Sequence, residues 1–183
     1  MANFGFIGTG NMGGALARAA RKVLSGDQIL LANRTAAKAE ALAAELQCRV
    51  VNNETAAKEA DYLFLGVKPQ MMTAMLAELQ PVLAARRDRF VLVTMAAGLT
   101  ITDIQRMAGG DYPVLRIMPN TPAAIGEGMV LYAPGAGVTE TEVQTFLDAM
   151  AGAGRFSPLP EKPIDAGSAV AGCGPAFADL FIE

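Results

Sequence analysis

The sequence predicts an α/β fold: a doubly wound parallel sheet with helices on both faces. Three observations lead to it. Short, wholly apolar runs alternate with alanine-rich amphipathic segments along most of the chain. The first apolar run ends on a glycine-spaced turn that opens directly into a helical pattern. The 183 residues are 52% hydrophobic, enough for a core on each side of a sheet.

Phe4 to Gly8 reads as the first strand and Met12 to Leu24 as the first helix, with Ala15, Leu16, Ala19, Ala20 and Val23 on one face. Gln28 to Ala32 is the second strand. Ala36 to Leu46 is the second helix, with Thr35 in position to cap it. Arg49 to Val51 makes a short third strand, and a short helix follows from Glu54. Asp61 to Val67 is apolar almost throughout, as a strand covered on both faces must be. Pro69 to Leu79 is then helical, Phe90 to Thr94 a fifth strand, Ile101 to Met107 a helix and Val114 to Met118 a sixth strand. Met129 to Ala133 is expected to be a further strand, antiparallel at the sheet edge. Thr139 to Met150 is a helix opened by the capping pattern Thr139-Glu140-Thr141-Glu142. Phe156 and Leu159 fit a last short strand. From Ile164 the chain turns small and glycine-rich, and Phe177, Leu180 and Phe181 have helical spacing that calls for a partner surface. The pattern stops at Glu183 without a capping glycine or lysine, which reads as a cut chain or a helix exchanged with a neighbour.

Composition excludes several chemistries. Lys+Arg 15 against Asp+Glu 18 leaves a net charge of -3 and no basic stripe, so nucleic acid is not an expected partner. No apolar run approaches the roughly 18 residues that cross a bilayer, and residues 1–20 lack the basic head of a signal peptide. Cys48 and Cys173 are far apart and in no metal-ligand spacing, so neither a metal nor a disulfide framework is expected, and a reducing cytoplasm is the simplest compartment. The chain has no histidine. Proton transfer must therefore use a carboxylate, a lysine, a hydroxyl or water, and imidazole-based triads are excluded.

The chemistry concentrates at strand ends. In Gly8-Thr9-Gly10-Asn11-Met12-Gly13, Gly8 permits a tight turn and Gly10 lets the backbone approach a pyrophosphate. Gly13 lets the new helix pack close to its strand, and the helix start supplies positive partial charge to the anion. About 20 residues on, where an acid would accept a ribose 2′-hydroxyl, stands Asn33, followed by Arg34 and Thr35. These suit a 2′-phosphate, hence NADP(H), with NADH as an alternative; an arginine simply solvated beside a helix cap is the plain rival. Val67-Lys68-Pro69-Gln70 follows the fourth strand at the carboxyl edge. Lys68 there is within reach of phosphate or ribose, or is merely a solvated loop lysine, and Pro69 suits the first position of a helix. Ala96-Ala97-Gly98 after the fifth strand leaves room for a flat nicotinamide ring, or marks a tight packing contact. Arg116-Ile117-Met118-Pro119-Asn120-Thr121-Pro122-Ala123 fixes a rigid loop that aims Asn120 and Thr121 at a site wall, unless it is a pure turn.

Taken in order, these motifs together with Gly172-Cys173-Gly174-Pro175-Ala176-Phe177 make the chain resemble pyrroline-5-carboxylate reductase, which reduces 1-pyrroline-5-carboxylate to proline with NADPH. The resemblance implies a Rossmann-type NADP(H)-binding domain over 1–160 and, over 161–183, the start of a helical dimerisation and substrate domain. It assigns Gly8, Thr9, Gly10, Asn11, Met12 and Gly13 to the pyrophosphate, Asn33, Arg34 and Thr35 to the 2′-phosphate, and Asn53 to the adenosine. Val67, Lys68, Pro69, Ala97, Gly98 and Asn120 line the rest of the cofactor, and Glu161 lies near the substrate, with a surface glutamate as the alternative. It also implies a homo-oligomer in the full-length enzyme. The Gly-Cys-Gly-Pro-Ala-Phe stretch departs mildly from the family's Ser-Gly-Ser-Gly-Pro-Ala-Tyr form, and the family's further helices, which carry the substrate carboxylate site, lie beyond this sequence. No residue is assigned as general acid. Two rival readings stay open. One is a reductase of the beta-hydroxyacid dehydrogenase type, which needs a later catalytic lysine where only Lys162 follows Lys68. The other is a non-catalytic NADP(H)-binding module.

Overall fold

The computed structural model describes residues 2–182. Eight strands form one sheet: β1 (Phe4–Ile7), β2 (Ile29–Ala32), β3 (Arg49–Val50), β4 (Tyr62–Leu65), β5 (Val91–Thr94), β6 (Val114–Pro119), β7 (Gly128–Pro134) and β8 (Gly154–Pro158). Six α-helices lie between the strands and a seventh follows the last: α1 (Asn11–Arg21), α2 (Ala36–Leu46), α3 (Asn53–Glu59), α4 (Pro69–Ala85), α5 (Ile101–Ala108), α6 (Glu140–Ala149) and α7 (Ile164–Ile182). The strand order is β3-β2-β1-β4-β5-β6-β7-β8, so the winding reverses between β1 and β4. A crevice forms at such a reversal, outside the carboxyl ends of the two strands.

Alternation along each strand divides the core in two. Phe4, Phe6, Ile29, Leu31, Phe64, Val93 and Ile117 face α1, α2 and α6. Ile7, Leu30, Leu63, Leu65, Leu92 and Val114 face α3, α4 and α5. On the first face the aromatics stack, Phe6 on Phe64 at 4.3 Å and Phe4 on Tyr62 at 4.8 Å between ring centres. Each such side chain contributes about 1.5–3 kcal/mol relative to an exposed one. A third, small cluster of Met118, Leu131, Ala133 and Ile164 seats the start of α7 on β6 and β7.

Several boundaries differ from the sequence reading. α1 ends at Arg21 rather than Leu24, and α4 continues past Leu79 to Ala85. Pro81 is exposed within α4, where its ring faces solvent and only one backbone bond is lost. Thr35 occupies the N-cap of α2, but its side chain makes no capping bond. Asn52 caps α3 instead, its Oδ1 accepting from the Thr55 amide at 2.7 Å, so that helix starts at Asn53. β7 is antiparallel to β6 as expected, but it is not the edge: β8 pairs with it in parallel on the outside. The helix expected around Phe177 begins at Ile164 and carries the glycine-rich stretch within it. Phe177, Leu180 and Phe181 are exposed on it. Among the described residues no helix is long and apolar enough to cross a membrane.

Candidate dinucleotide cleft

The glycine turn is built backbone against backbone. Gly8 leaves β1 at φ +98°, a left-handed conformation that a side chain opposes. A Cβ on Gly66 would lie 2.6 Å from the Gly8 carbonyl oxygen, and a Cβ on Gly13 would meet that same oxygen. The end of β1, the end of β4 and the first turn of α1 are therefore locked at one point. Gly10 is different, because a Cβ there would meet nothing within 4 Å. Its open side faces the cleft.

Gly10 caps α1 with extended backbone and no side-chain bond, and the first turn of α1 carries no acid. The amides of Asn11, Met12 and Gly13 thus have no acceptor within the helix, and they point outward at its positive end. Beside them the Thr9 hydroxyl is buried without a partner. An unsatisfied buried hydroxyl and a bare helix start together fit an anion.

Two clefts meet at this turn. The first, about 370 Å³, runs between α1 and α2 and brings Lys38, Arg18 and Glu45 alongside Thr9, Gly10 and Asn11. Arg18 and Glu45 form a two-pronged ion pair across it, at 2.7 and 2.6 Å. That hydrogen-bonded guanidinium holds Glu45 below the usual carboxylate range. The second cleft, about 560 Å³, lies in the crevice where the winding reverses. Gly10, Asn11, Met12 and Gly13 form one wall, Val67 and Lys68 another, and Ala97, Met118 and Ser168 the far end.

Of the residues expected at the site, Thr9, Gly10 and Asn11 line the first cleft; Gly10, Asn11, Met12, Gly13, Val67, Lys68 and Ala97 line the second. Gly8 forms the turn beneath both. Asn33 ties two turns together: its Oδ1 accepts from the Thr9 amide at 3.2 Å and its Nδ2 donates to the Thr35 carbonyl at 3.0 Å. Arg34 and Thr35 are exposed beside it. Asn53 is half-buried at the first turn of α3, and Pro69 opens α4 with Lys68 at the N-cap. Gly98 lies in the exposed turn after β5 and does not line the cleft.

Two expected ligand contacts are spent within the protein. Asn120 accepts from the Met129 amide at 2.9 Å and donates to the Ala171 carbonyl at 3.0 Å, linking β7 to α7. Glu161 accepts from the Ile101 amide at 2.6 Å, at the N-terminus of α5, and its carboxylate lies 3.5 Å from the Arg116 guanidinium. Neither lines a cleft. The reading from sequence missed Lys38, Gly66 and Ser168. Lys38 was within reach, since it stands in the first turn of α2, four residues after Arg34. Ser168 was not, because nothing local shows where α7 lies.

The family described as NADP oxidoreductase, coenzyme F420-dependent, matches residues 3–98, just over half of the chain. The chain is 33% identical over 182 residues to pyrroline-5-carboxylate reductase of Glycine max, covering 98% of this chain and 65% of that protein. It is 34% identical over 183 residues to the pyrroline-5-carboxylate reductase of Escherichia coli, covering 98% and 66%. The crystal structure of Plasmodium falciparum pyrroline carboxylate reductase with NADP bound superposes with a TM-score of 0.83 at 27% identity, covering 99% of this chain and 66% of that one. The chain thus spans just under two thirds of the length of these relatives. With the reversal crevice and the glycine turn in agreement, the chain belongs to the family described as NADP oxidoreductase, coenzyme F420-dependent, and along nearly its whole length it is similar to pyrroline-5-carboxylate reductases.

Proposed function

We propose that this chain binds NADP(H) across the two clefts and forms the cofactor-holding part of an enzyme that reduces 1-pyrroline-5-carboxylate to L-proline. The observation that carries the reading is the bare start of α1 at the β1–β4 reversal, with the unpartnered Thr9 hydroxyl beside it. In this reading the α1 amides and Thr9 hold the diphosphate. Arg34, Thr35 and Lys38 surround the 2′-phosphate, and Asn53 lies toward the adenosine. Val67, Lys68 and Ala97 flank the nicotinamide half, with Pro69 and Gly98 next to them in the chain but outside the cleft lining. Asn120 acts by fixing the wall, and Glu161 stands toward the substrate side.

When bound, the dinucleotide supplies a hydride to the imine carbon of the pyrroline ring. The protein's own task is alignment and exclusion of water. The apolar far end, with Met95, Met118 and Pro119, keeps the reacting face dry. With no histidine in the chain, the imine nitrogen enters already protonated or takes its proton from water or a hydroxyl. Lys162 is exposed and lines neither cleft, which disfavours a lysine-dependent hydroxyacid dehydrogenase.

In the same reading, residues 1–160 are the cofactor domain, 161–183 open a helical dimerisation and substrate domain, and the complete enzyme is a cytoplasmic homo-oligomer. Calorimetric titration of the chain with NADPH and NADH tests the first step. NADPH binding with weaker or absent NADH binding is expected, and no heat with either overturns the reading. Turnover of 1-pyrroline-5-carboxylate, measured for this chain and for a chain of the relatives' length, tests the second.

A further inference from the structure

We propose that Ser168 is the hydroxyl that contacts the nicotinamide end of the bound dinucleotide, and that Arg116 is its positioning residue, acting through α7. The inference rests on the reading that the second cleft holds NADP(H).

Helix α7 is exposed over most of its length, and Ile164 is its one buried residue among those described. What seats it is concentrated in its first two turns. Asp165, Ser168 and Ala171 are spaced three apart and so share a face. At one end Asp165 Oδ1 accepts from Arg116 Nη2 at 2.6 Å, and at the other the Ala171 carbonyl accepts from Asn120 Nδ2 at 3.0 Å. Ser168 lies midway between these anchors and lines the second cleft. Gly167 allows the approach: a Cβ there would stand 2.8 Å from Leu159 Cδ2 and 2.9 Å from Leu131 Cδ1.

Arg116 is an expensive way to hold a helix. Its side chain is 1% exposed, its Nε has no partner, and its register partner in β5 is the fully buried Thr94. An apolar residue of similar volume at such a site is often neutral or stabilising. What an apolar residue cannot do is fix the angle of α7 through a directed bond to Asp165, with the Glu161 carboxylate, just before the helix, 3.5 Å from the same guanidinium. The guanidinium therefore supplies geometry, and the cleft is where that geometry is felt.

The strand order decides which half of the dinucleotide meets Ser168. The adenosine ribose is read at the end of β2, on one side of β1, so the other half extends toward β4, β5 and β6. The protic side chains lining the second cleft are Asn11, Lys68 and Ser168. The first two flank the glycine turn and the end of β4. Ser168 stands at the far end with Met118 and Pro119. A neutral hydroxyl, able to donate and accept, suits a carboxamide.

The test separates the two halves of the ligand. NADP+ and 2′-phospho-ADP-ribose, which lacks nicotinamide, are titrated calorimetrically into the wild-type chain, S168A, S168T, D165N and R116K, with circular dichroism confirming the fold of each. S168A, D165N and R116K are expected to bind NADP+ about threefold to tenfold more weakly, the value of one neutral hydrogen bond, with 2′-phospho-ADP-ribose unchanged. S168T is expected to bind as wild type. Unchanged NADP+ binding by S168A, or equal loss of both ligands, overturns the role of Ser168. Unchanged binding by both D165N and R116K overturns the positioning role of Arg116. Failure of the wild type to bind 2′-phospho-ADP-ribose overturns the nucleotide reading itself.

Discussion

The Thr9 amide donates to Asn33 Oδ1 at 3.2 Å, so a single side chain joins the turn after β1 to the turn after β2. The two loops that would grip opposite ends of an adenosine diphosphate are thereby one unit. Asn33→Ala is expected to weaken NADPH and NADH alike, by about threefold to tenfold, because it loosens a support common to both. Parallel titrations with the two nucleotides check it, and a loss confined to NADPH would instead make Asn33 a direct phosphate ligand.

In the proposed reading, Arg34 and Lys38 carry the discrimination between cofactors. Both are cations next to the start of α2, and a 2′-phosphate there would gain charge-assisted hydrogen bonds. Arg34→Ala and Lys38→Ala should each cost NADPH about tenfold or more and leave NADH nearly unchanged. Equal losses for the two nucleotides would remove the phosphate assignment.

Gly66→Ala probes the backbone lock. The new methyl would press on the Gly8 carbonyl from 2.6 Å, and neither partner is a flexible side chain. A loss of about 1–3 kcal/mol in urea unfolding is expected, with nucleotide binding reduced as well. A variant as stable as wild type would show that the contact yields.

Acid sensitivity should come in part from Glu142. The Arg89 guanidinium, then the Thr139 amide and hydroxyl, lower its carboxyl from the usual 4.5 to about 2. A group depressed in the folded state stabilises above its unfolded value and loses that contribution as pH falls through the folded one. The loss therefore runs from about pH 4.5 down to about 2. Since Arg89 is more than half exposed, solvent screening keeps it within about 1 kcal/mol. Glu142→Gln should flatten that part of the stability–pH curve, and an unchanged acid limb would assign the sensitivity elsewhere.

The glycine turn and the alternation of strand and helix were legible because they are local. Apolar runs such as Tyr62–Leu65 and the spacing of Gly8, Gly10 and Gly13 carry their meaning within a few residues. The capping pair Thr139 and Glu142 was legible for the same reason, and both of its reciprocal bonds form. Less legible was β7, whose antiparallel pairing was expected but whose edge place falls to β8. A weakly apolar strand such as Gly154–Pro158 gains its partner only once β7 is in position. Asn120 and Glu161 show the opposite limit. Their residue types suit a ligand, yet tertiary neighbours claim their polar atoms first.

The order of residues by itself determined the α/β class, the bare start of α1 and the place of Arg34 just before α2, since each depends on neighbours close in the chain. Only the folded arrangement decided that Arg116 would be buried against Asp165 and that Ser168 would face the cleft. Those contacts join residues about fifty positions apart, and their existence depends on the angle at which one helix crosses the sheet, a quantity set by packing rather than by any local pattern.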